Sequence, residues 1–535
     1  MATLDGFRTK DFLDQITILN DIAGSKDPNN LPALVELFES PTGDTGVDYM
    51  VVGALNAVLG TSEAAVVQGL ASASQPYRTL CIRTAGEYAF ASAAEPLSRM
   101  AAEESDSDLL VEILASLAKI RPVDGAAVFR NFLGHPDPML AAMAMEMAGV
   151  YADPLALPTL MDTVQAAGSD GRYETCEITT WKAIDALAAI ATPESLAFLV
   201  GCVHHQNPTA RRIITDALVR LGEAALPYLE PVYINGSTDD RILACNIAGF
   251  IGQRKGADAL VRAFDSGRFT DPNVRYAAFE ALGRIGTLKG LVCLVDGLEE
   301  NDELILMAVV TGLERHAAPG VLKTIAERIS SGTENSPRIA KAIVASRALR
   351  LFQDLYKDEL VAVALMGALR QSQDQTVLDA FTHRLEQMGT ERSRADAASL
   401  PRAKAATRKA LAADDSKSML ALYRSILTDM GFEPLLAANG QEAYAFIESG
   451  EFVDVVVTDM NMPIMDGVEL VGKLRASLGY EDVPILMVTT ESENSQRDVA
   501  AKAGVTDFIT KPFKPAAIKA TLLKLLESRP ASSLA

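Results

Sequence analysis

The chain has 535 residues, about half of them apolar, with 49 Lys and Arg against 70 Asp and Glu for a net charge of -21. That length exceeds one core unless repeats absorb it, the apolar share argues against disorder, and the acidity disfavours nucleic acid as a partner, because phosphate binding needs a basic surface. The opening MATLDGFRTKDF lacks a cationic and then apolar leader and no apolar run is long enough to span a bilayer, so no membrane insertion is expected and a cytoplasmic location fits.

In chain order, residues 1–24 contain DFLDQITILNDIA, an amphipathic stretch that reads as an N-terminal capping helix. From 25 to 388 one pattern recurs, as AGEYAFASAAEPL (85–97), AGVYADPLALPTL (148–160), AGFIGQRKGADAL (248–260) and LGRIGTLKGLVCL (282–294). The fourth residue of each Gly-x-Ile-Gly-like core gives anchors at Gly60, Ala89, Arg121, Ala152, Ala191, Gly222, Gly252, Gly286 and His316. Their spacing averages about 32 residues, a repeat-protein period. Two amphipathic helical patterns fit between anchors, and Asp27-Pro28, Asp137-Pro138, Asn207-Pro208 and Asp271-Pro272 are turn signals that open units.

This region resembles HEAT-like repeats of the short, phycobilisome-lyase type. The resemblance implies an all-α HEAT-like solenoid of about nine to eleven units, each helix pair burying its apolar stripe only by stacking on neighbours. YKDELVAVALMGALRQ and DQTVLDAFTHRLEQM read as its C-terminal cap, and residues 389–407, GTERSRADAASLPRAKAAT, lose the periodicity and read as a linker, in part helical.

Reactive groups in the repeats are sparse. Cys81, Cys176, Cys202, Cys245 and Cys293 form no Cys-x-x-Cys and are expected as buried free thiols. His204 and His205 have no acidic or thiol partner at metal spacing, so a packing or surface role is expected. His383 is similar to a phosphotransfer histidine on a helix, but no Gly-rich nucleotide segment accompanies it. Trp181 is expected in the core. Neither a lyase nor any other enzyme is expected in this region.

Over residues 408–528 the period changes. KALAADD, PLLAA, DVVVTD, PILMVTT and DFITKP are short apolar runs alternating with helical patterns, which predicts a doubly wound α/β domain of five parallel strands. Ligands of such sheets bind beyond the carboxyl ends of the strands. Those ends carry Asp414-Asp415-Ser416, Asp459, Thr489-Thr490 and Lys511. Two carboxylates about 4 Å apart repel by about 4 kcal/mol at an effective dielectric near 20, so such a cluster calls for a cation, and an oxygen-only donor set suits Mg2+ first, with Ca2+ or Mn2+ as alternatives. Residues 529–535 read as a flexible tail.

With DDS (414–416), VVVTDMNMPIMDG (455–467), MVTTES (487–492), AGVTDFITKPF (503–513) and NGQEA (439–443), the domain resembles the flavodoxin-like receiver of response regulators, especially the chemotaxis type. The resemblance implies Asp459 as phosphoacceptor, with Thr489 and Lys511 assisting. It implies a Mg2+ site of Asp414, Asp415, Asp459 and the backbone carbonyl of Asn461, a switch of Thr489 and Phe508, and dephosphorylation tuned by Asn461 and Glu491. The chain departs from the pattern in the Ala-rich first strand and in Phe508, which has no hydroxyl, so a switch there must work by packing.

The expected function is therefore a two-component response regulator, phosphorylated by a sensor histidine kinase or phosphotransfer protein. Phosphorylation would modulate binding of an unknown protein partner by the solenoid, with no enzymatic activity beyond the receiver's own phosphorylation and dephosphorylation. The alternative is a constitutive scaffold or phosphate sink whose partner binding ignores phosphorylation.

Overall fold

A computed structural model describes residues 4–167, 177–372, 374–400, 408–449, 451–477, 479–489, 494–511 and 513–527. Cys176, Glu491, residues 401–407 of the expected linker and the expected tail lie outside them. The chain divides into two compact units, one ending at Ser195 and one beginning, among the described residues, at Leu196. No helix among the described residues is long and apolar enough to cross a membrane.

Both units contain paired helices, and local chemistry sets where each helix starts and stops. Asp137, Asn207 and Asp271 cap helices Pro138–Val150, Pro208–Leu221 and Pro272–Ile285, with side chains that accept from backbone N–H groups of the first turn and Pro at the start of each helix. The helices end at the anchors. Ala89, Arg121, Ala152, Ala191, Gly222, Gly252 and Gly286 all have φ between 49° and 71°. There the N–H groups of Arg121, Ala191, Gly252 and Gly286 bond the carbonyls four residues back. Gly60 and His316, the outermost anchors, lack the positive φ. Lys26, Arg347 and Gly389 have it and extend the series in both directions, although their surroundings do not match the sequence pattern.

The small residue three positions before an anchor sets the spacing of successive helices. A Cβ on Gly283 would lie 2.6 Å from the Cα of Gly312, and one on Gly249 would lie 2.9 Å from the Cα of Ala281, so neighbouring helices touch backbone to backbone. One expectation is corrected. Trp181 is 52% exposed, because Thr180, Ala183, Ile184 and Leu187 form the buried stripe of helix Ile178–Ile190 and Trp181 lies outside it. Within residues 389–407, Glu391–Ala398 is a helix with Ser393 and Ala397 buried, tied to the preceding array by a 2.5 Å hydrogen bond from the Tyr356 hydroxyl to Asp396.

The C-terminal domain is a parallel sheet of β1 (Arg408–Ala413), β2 (Phe432–Ala437), β3 (Val455–Asp459), β4 (Ile485–Thr489) and β5 (Asp507–Thr510). Its order is β2-β1-β3-β4-β5. The strands alternate with α1 (Lys417–Asp429), α2 (Gly440–Glu448), α3 (Gly467–Arg475), α4 (Asn494–Ala503) and α5 (Pro515–Glu527). Alternate strand residues feed two cores. Leu411, Val456, Ile485 and Met487 belong to one, and Ala410, Ala412, Val455, Val457, Leu486 and Val488 to the other. The small residues of β1 share the second core with Tyr423 of α1, which is fully buried.

Gly283→Val is expected to destabilise the full chain by about 1–3 kcal/mol, because overpacking here meets backbone that no rotamer change can relieve. An unchanged thermal midpoint in circular dichroism would contradict the close backbone approach.

Candidate functional site

The strand order places the carboxyl ends of β1 and β3 side by side at the centre of the sheet, where the connections diverge to opposite sides. Ala413 pairs with Thr458, Asp459 with Val488, and Thr489 with Thr510, so the polar residues predicted at four strand ends converge on one edge. Asp414, Asp415 and Asp459 each bring a carboxylate oxygen within 4.8 Å of the others. Lys511 Nζ lies 3.2 Å from Asp414 Oδ2 and 3.2 Å from Asp459 Oδ1.

Backbone shape holds this cluster in place. The Ser416 N–H donates to Asp414 Oδ1 at 2.9 Å, fixing the β1–α1 turn. After Asp459 the chain turns through Ile464, a β-branched residue at φ 70°, a conformation that costs about 1–3 kcal/mol and persists only where the surroundings impose it. Gly467 closes the loop: its N–H donates to the Met460 carbonyl at 2.9 Å, and a Cβ there would overlap the carbonyl oxygen of Asp459. Thr489 is buried, with its hydroxyl 3.7 Å from the Met460 sulfur. Phe508 is half-buried against the first core. Asn461 lines the same cavity as the three carboxylates.

Burial dominates the electrostatics. Desolvation raises the Asp459 carboxyl above the ordinary range, opposed by Lys511 and reinforced by Asp414 and Asp415. Asp415 is also raised by burial, against the pull of Arg284. Desolvation pulls Lys511 down, but the three carboxylates outweigh it and the ammonium is held firmly protonated.

Three further residues of the site were not identified from sequence, and they come from the repeats. On helix Pro272–Ile285, the Tyr276 hydroxyl shares a hydrogen bond with the Ser416 hydroxyl, which donates to Glu280 at 2.8 Å. Arg284 lies 3.4 Å from Asp415 and 3.4 Å from Glu280. Their spacing of four is a polar stripe along one helix face, readable in RYAAFEALGR, but nothing in that string says what the stripe faces. Thr311 and Ser418 extend the contact, their hydroxyls 3.4 Å apart. His204 does meet a carboxylate, Asp240, at 3.5 Å. Among the described residues, the metal-competent group is Asp414, Asp415 and Asp459.

Residues 410–523 match the response regulator receiver domain, and residues 235–314 match HEAT repeats. A chemotaxis protein CheY homolog of Campylobacter jejuni is 44% identical over 119 residues, which are 22% of this chain and 92% of that protein. The chain belongs to the response regulator receiver family. The receiver is also 39% identical over 115 residues to chemotaxis protein CheY1 of Helicobacter pylori, covering 21% of this chain and 93% of that one. Among solved structures, chemotaxis response regulator CheY4 of Vibrio cholerae matches with 37% identity and TM-score 0.21, over 22% of this chain and 98% of that chain. The chain thus joins a CheY-like receiver of the two-component type to a preceding array of HEAT repeats.

Because burial raises the folded pKa of Asp459, the folded state holds a proton that the unfolded state releases. This contribution favours folding at low pH and is lost as pH rises through the raised value. In EDTA, Asp459→Asn is therefore expected to stabilise the fold more at pH 8 than at pH 5, by about 1–3 kcal/mol at the higher pH, read from thermal unfolding. Equal shifts at both pH values would show that the carboxyl is not perturbed.

Proposed function

We propose that the protein is a phosphorylation-controlled scaffold: the receiver accepts a phosphoryl group on Asp459 from a histidine kinase or phosphotransfer protein, and its state modulates what the HEAT repeats bind. The observation that carries this reading is Asp459 at the end of β3, held 3.2 Å from Lys511 with two further carboxylates beside it. The donor set fits a hard divalent cation, since it is oxygen-only and keeps excess negative charge. Asp414, Asp415, Asp459 and the Asn461 carbonyl would hold Mg2+, which supplies positive charge to the phosphoryl oxygens when bound.

The chain's own residues do the rest. An Asp459 carboxylate oxygen attacks phosphorus, the P–O bond forms as the P–N bond to the donor histidine breaks, and the imidazole leaves with the bonding pair. Lys511 Nζ, already on Asp459, stabilises charge on the transferring group. Thr489 reorients its hydroxyl from Met460 toward the new phosphoryl oxygen, and Phe508, without a hydroxyl, responds by repacking. Asn461 and Glu491 tune hydrolysis of the acyl phosphate. The receiver has no other substrate in this reading.

The full chain with Mg2+ and phosphoramidate is expected to incorporate phosphate that Asp459→Asn does not, read by intact-mass spectrometry. Label retained in Asp459→Asn would rule out Asp459 as the acceptor. Removal of Mg2+ with EDTA is expected to slow labelling by about a hundredfold or more, the scale associated with removing one electrostatic stabiliser of a transition state.

A further inference from the structure

We propose that helices Thr238–Ile251 and Pro272–Ile285 of the repeats form a gate over Asp459 that must part from the receiver before phosphoryl transfer. The proposal rests on the reading of Asp459 as acceptor and specifies how that site is regulated.

The first reason is space. The cavity at Asp459 measures about 60 Å³ and is roofed by Leu243 and Asn246 of one helix and Asn273, Tyr276 and Glu280 of the other. That space admits water or a metal ion, but the two helices that roof it stand where a phosphohistidine carried on a protein would have to approach Asp459. Asp459 is 7% exposed and Asp414 is fully buried.

Charge is the second reason. Glu280 faces the pocket through Ser416 and opposes the entry of an anionic donor. Arg284 sits as a fixed cation on Asp415, one of the groups that would hold a metal. Three contacts position it: Asp415, Glu280, and the Phe250 ring, whose centroid lies 4.4 Å from the guanidinium carbon. A cation arriving at Asp415 must share it with Arg284, so closure and metal binding oppose each other.

The contact is also built to part. Among the described residues, Arg284 Nη1 is buried with no hydrogen-bond partner, at a cost of about 1–3 kcal/mol to the closed form. A second cavity of about 290 Å³ separates helices Pro208–Leu221 and Thr238–Ile251 from the loop after β3, and it shares Asn246, Asp415 and Asn461 with the first. Around Asp459 the closed faces therefore meet through polar side chains beside a void, and the apolar part of the contact, Tyr276 and Leu304 against the second core, lies along α1.

A lock and a release test the gate in the full chain. Thr311 and Ser418 lie outside the acidic cluster with hydroxyls 3.4 Å apart, so the double variant Thr311→Cys, Ser418→Cys can cross-link the closed contact. Phosphoramidate with Mg2+ is expected to label the oxidised form at least about tenfold more slowly than the same protein after reduction, as when the competent fraction falls tenfold. Equal rates overturn the gate. The oxidised and reduced parent serves as control for the native thiols. Should the disulfide not form, Arg284→Gln is read instead, with faster labelling and tighter Mg2+ binding by calorimetry expected; an unchanged or lower rate overturns the gate. No label in the reduced chain would instead remove the acceptor reading, and the gate with it.

Discussion

The rest of the domain is arranged around a charge problem: three carboxylates share one dry sheet edge with a single ammonium. Adding Glu280 and Arg284 from the repeats leaves four acidic groups facing two cations, so two negative charges stay uncompensated when all are ionised. At an effective dielectric near 20, each adjacent like pair costs about 4 kcal/mol. The buried strands, the strained turn at Ile464 and the glycine at 467 hold the groups together against that repulsion. A divalent cation would relieve the excess in one step, whereas Arg284, arriving together with Glu280, leaves the count unchanged. The two solutions therefore differ in how much repulsion they leave.

The rigidity of the repeat side matters for the same reason. Gly283 lies against Gly312, and Arg284 follows it directly in sequence. The backbone contact that spaces the helices thus also fixes the root of the Arg284 guanidinium that reaches Asp415. Movement within the stack would break close-packed backbone, while movement between the stack and the receiver separates side chains: polar contacts beside a cavity, and Tyr276 and Leu304 from the receiver's second core. The compliant surface lies between the two folds.

Much of this was legible in the sequence because the relevant signals are local. VVVTD is a buried strand ending in a carboxylate, and four such ends with complementary groups imply one pocket. The repeat anchors were legible as a pattern of small residues, and their positive φ angles explain the pattern: a helix must turn there every repeat, which glycine does most easily and Ala89, Arg121, Ala152 and Ala191 do under strain. Trp181 was misplaced because its size suggested a core that its helical phase does not reach. Arg284 could not be assigned because its partner is 131 residues away in sequence. Periodicity reports the face a side chain occupies and carries no information about a distant surface brought against it.

The covalent continuity of the chain adds a consequence of its own. Helix Glu391–Ala398 is packed onto the array through Tyr356, so the receiver is tethered from a fixed point by the short segment 401–407. Docking of the receiver on helix Pro272–Ile285 is then a first-order event. Its equilibrium is the same in a cell holding few copies as in one holding many, and a free protein competing for that helix faces an effective receiver concentration on the order of millimolar. Chemistry at Asp459 that weakens docking would change that threshold for every copy alike, making the response independent of how much of the protein is made.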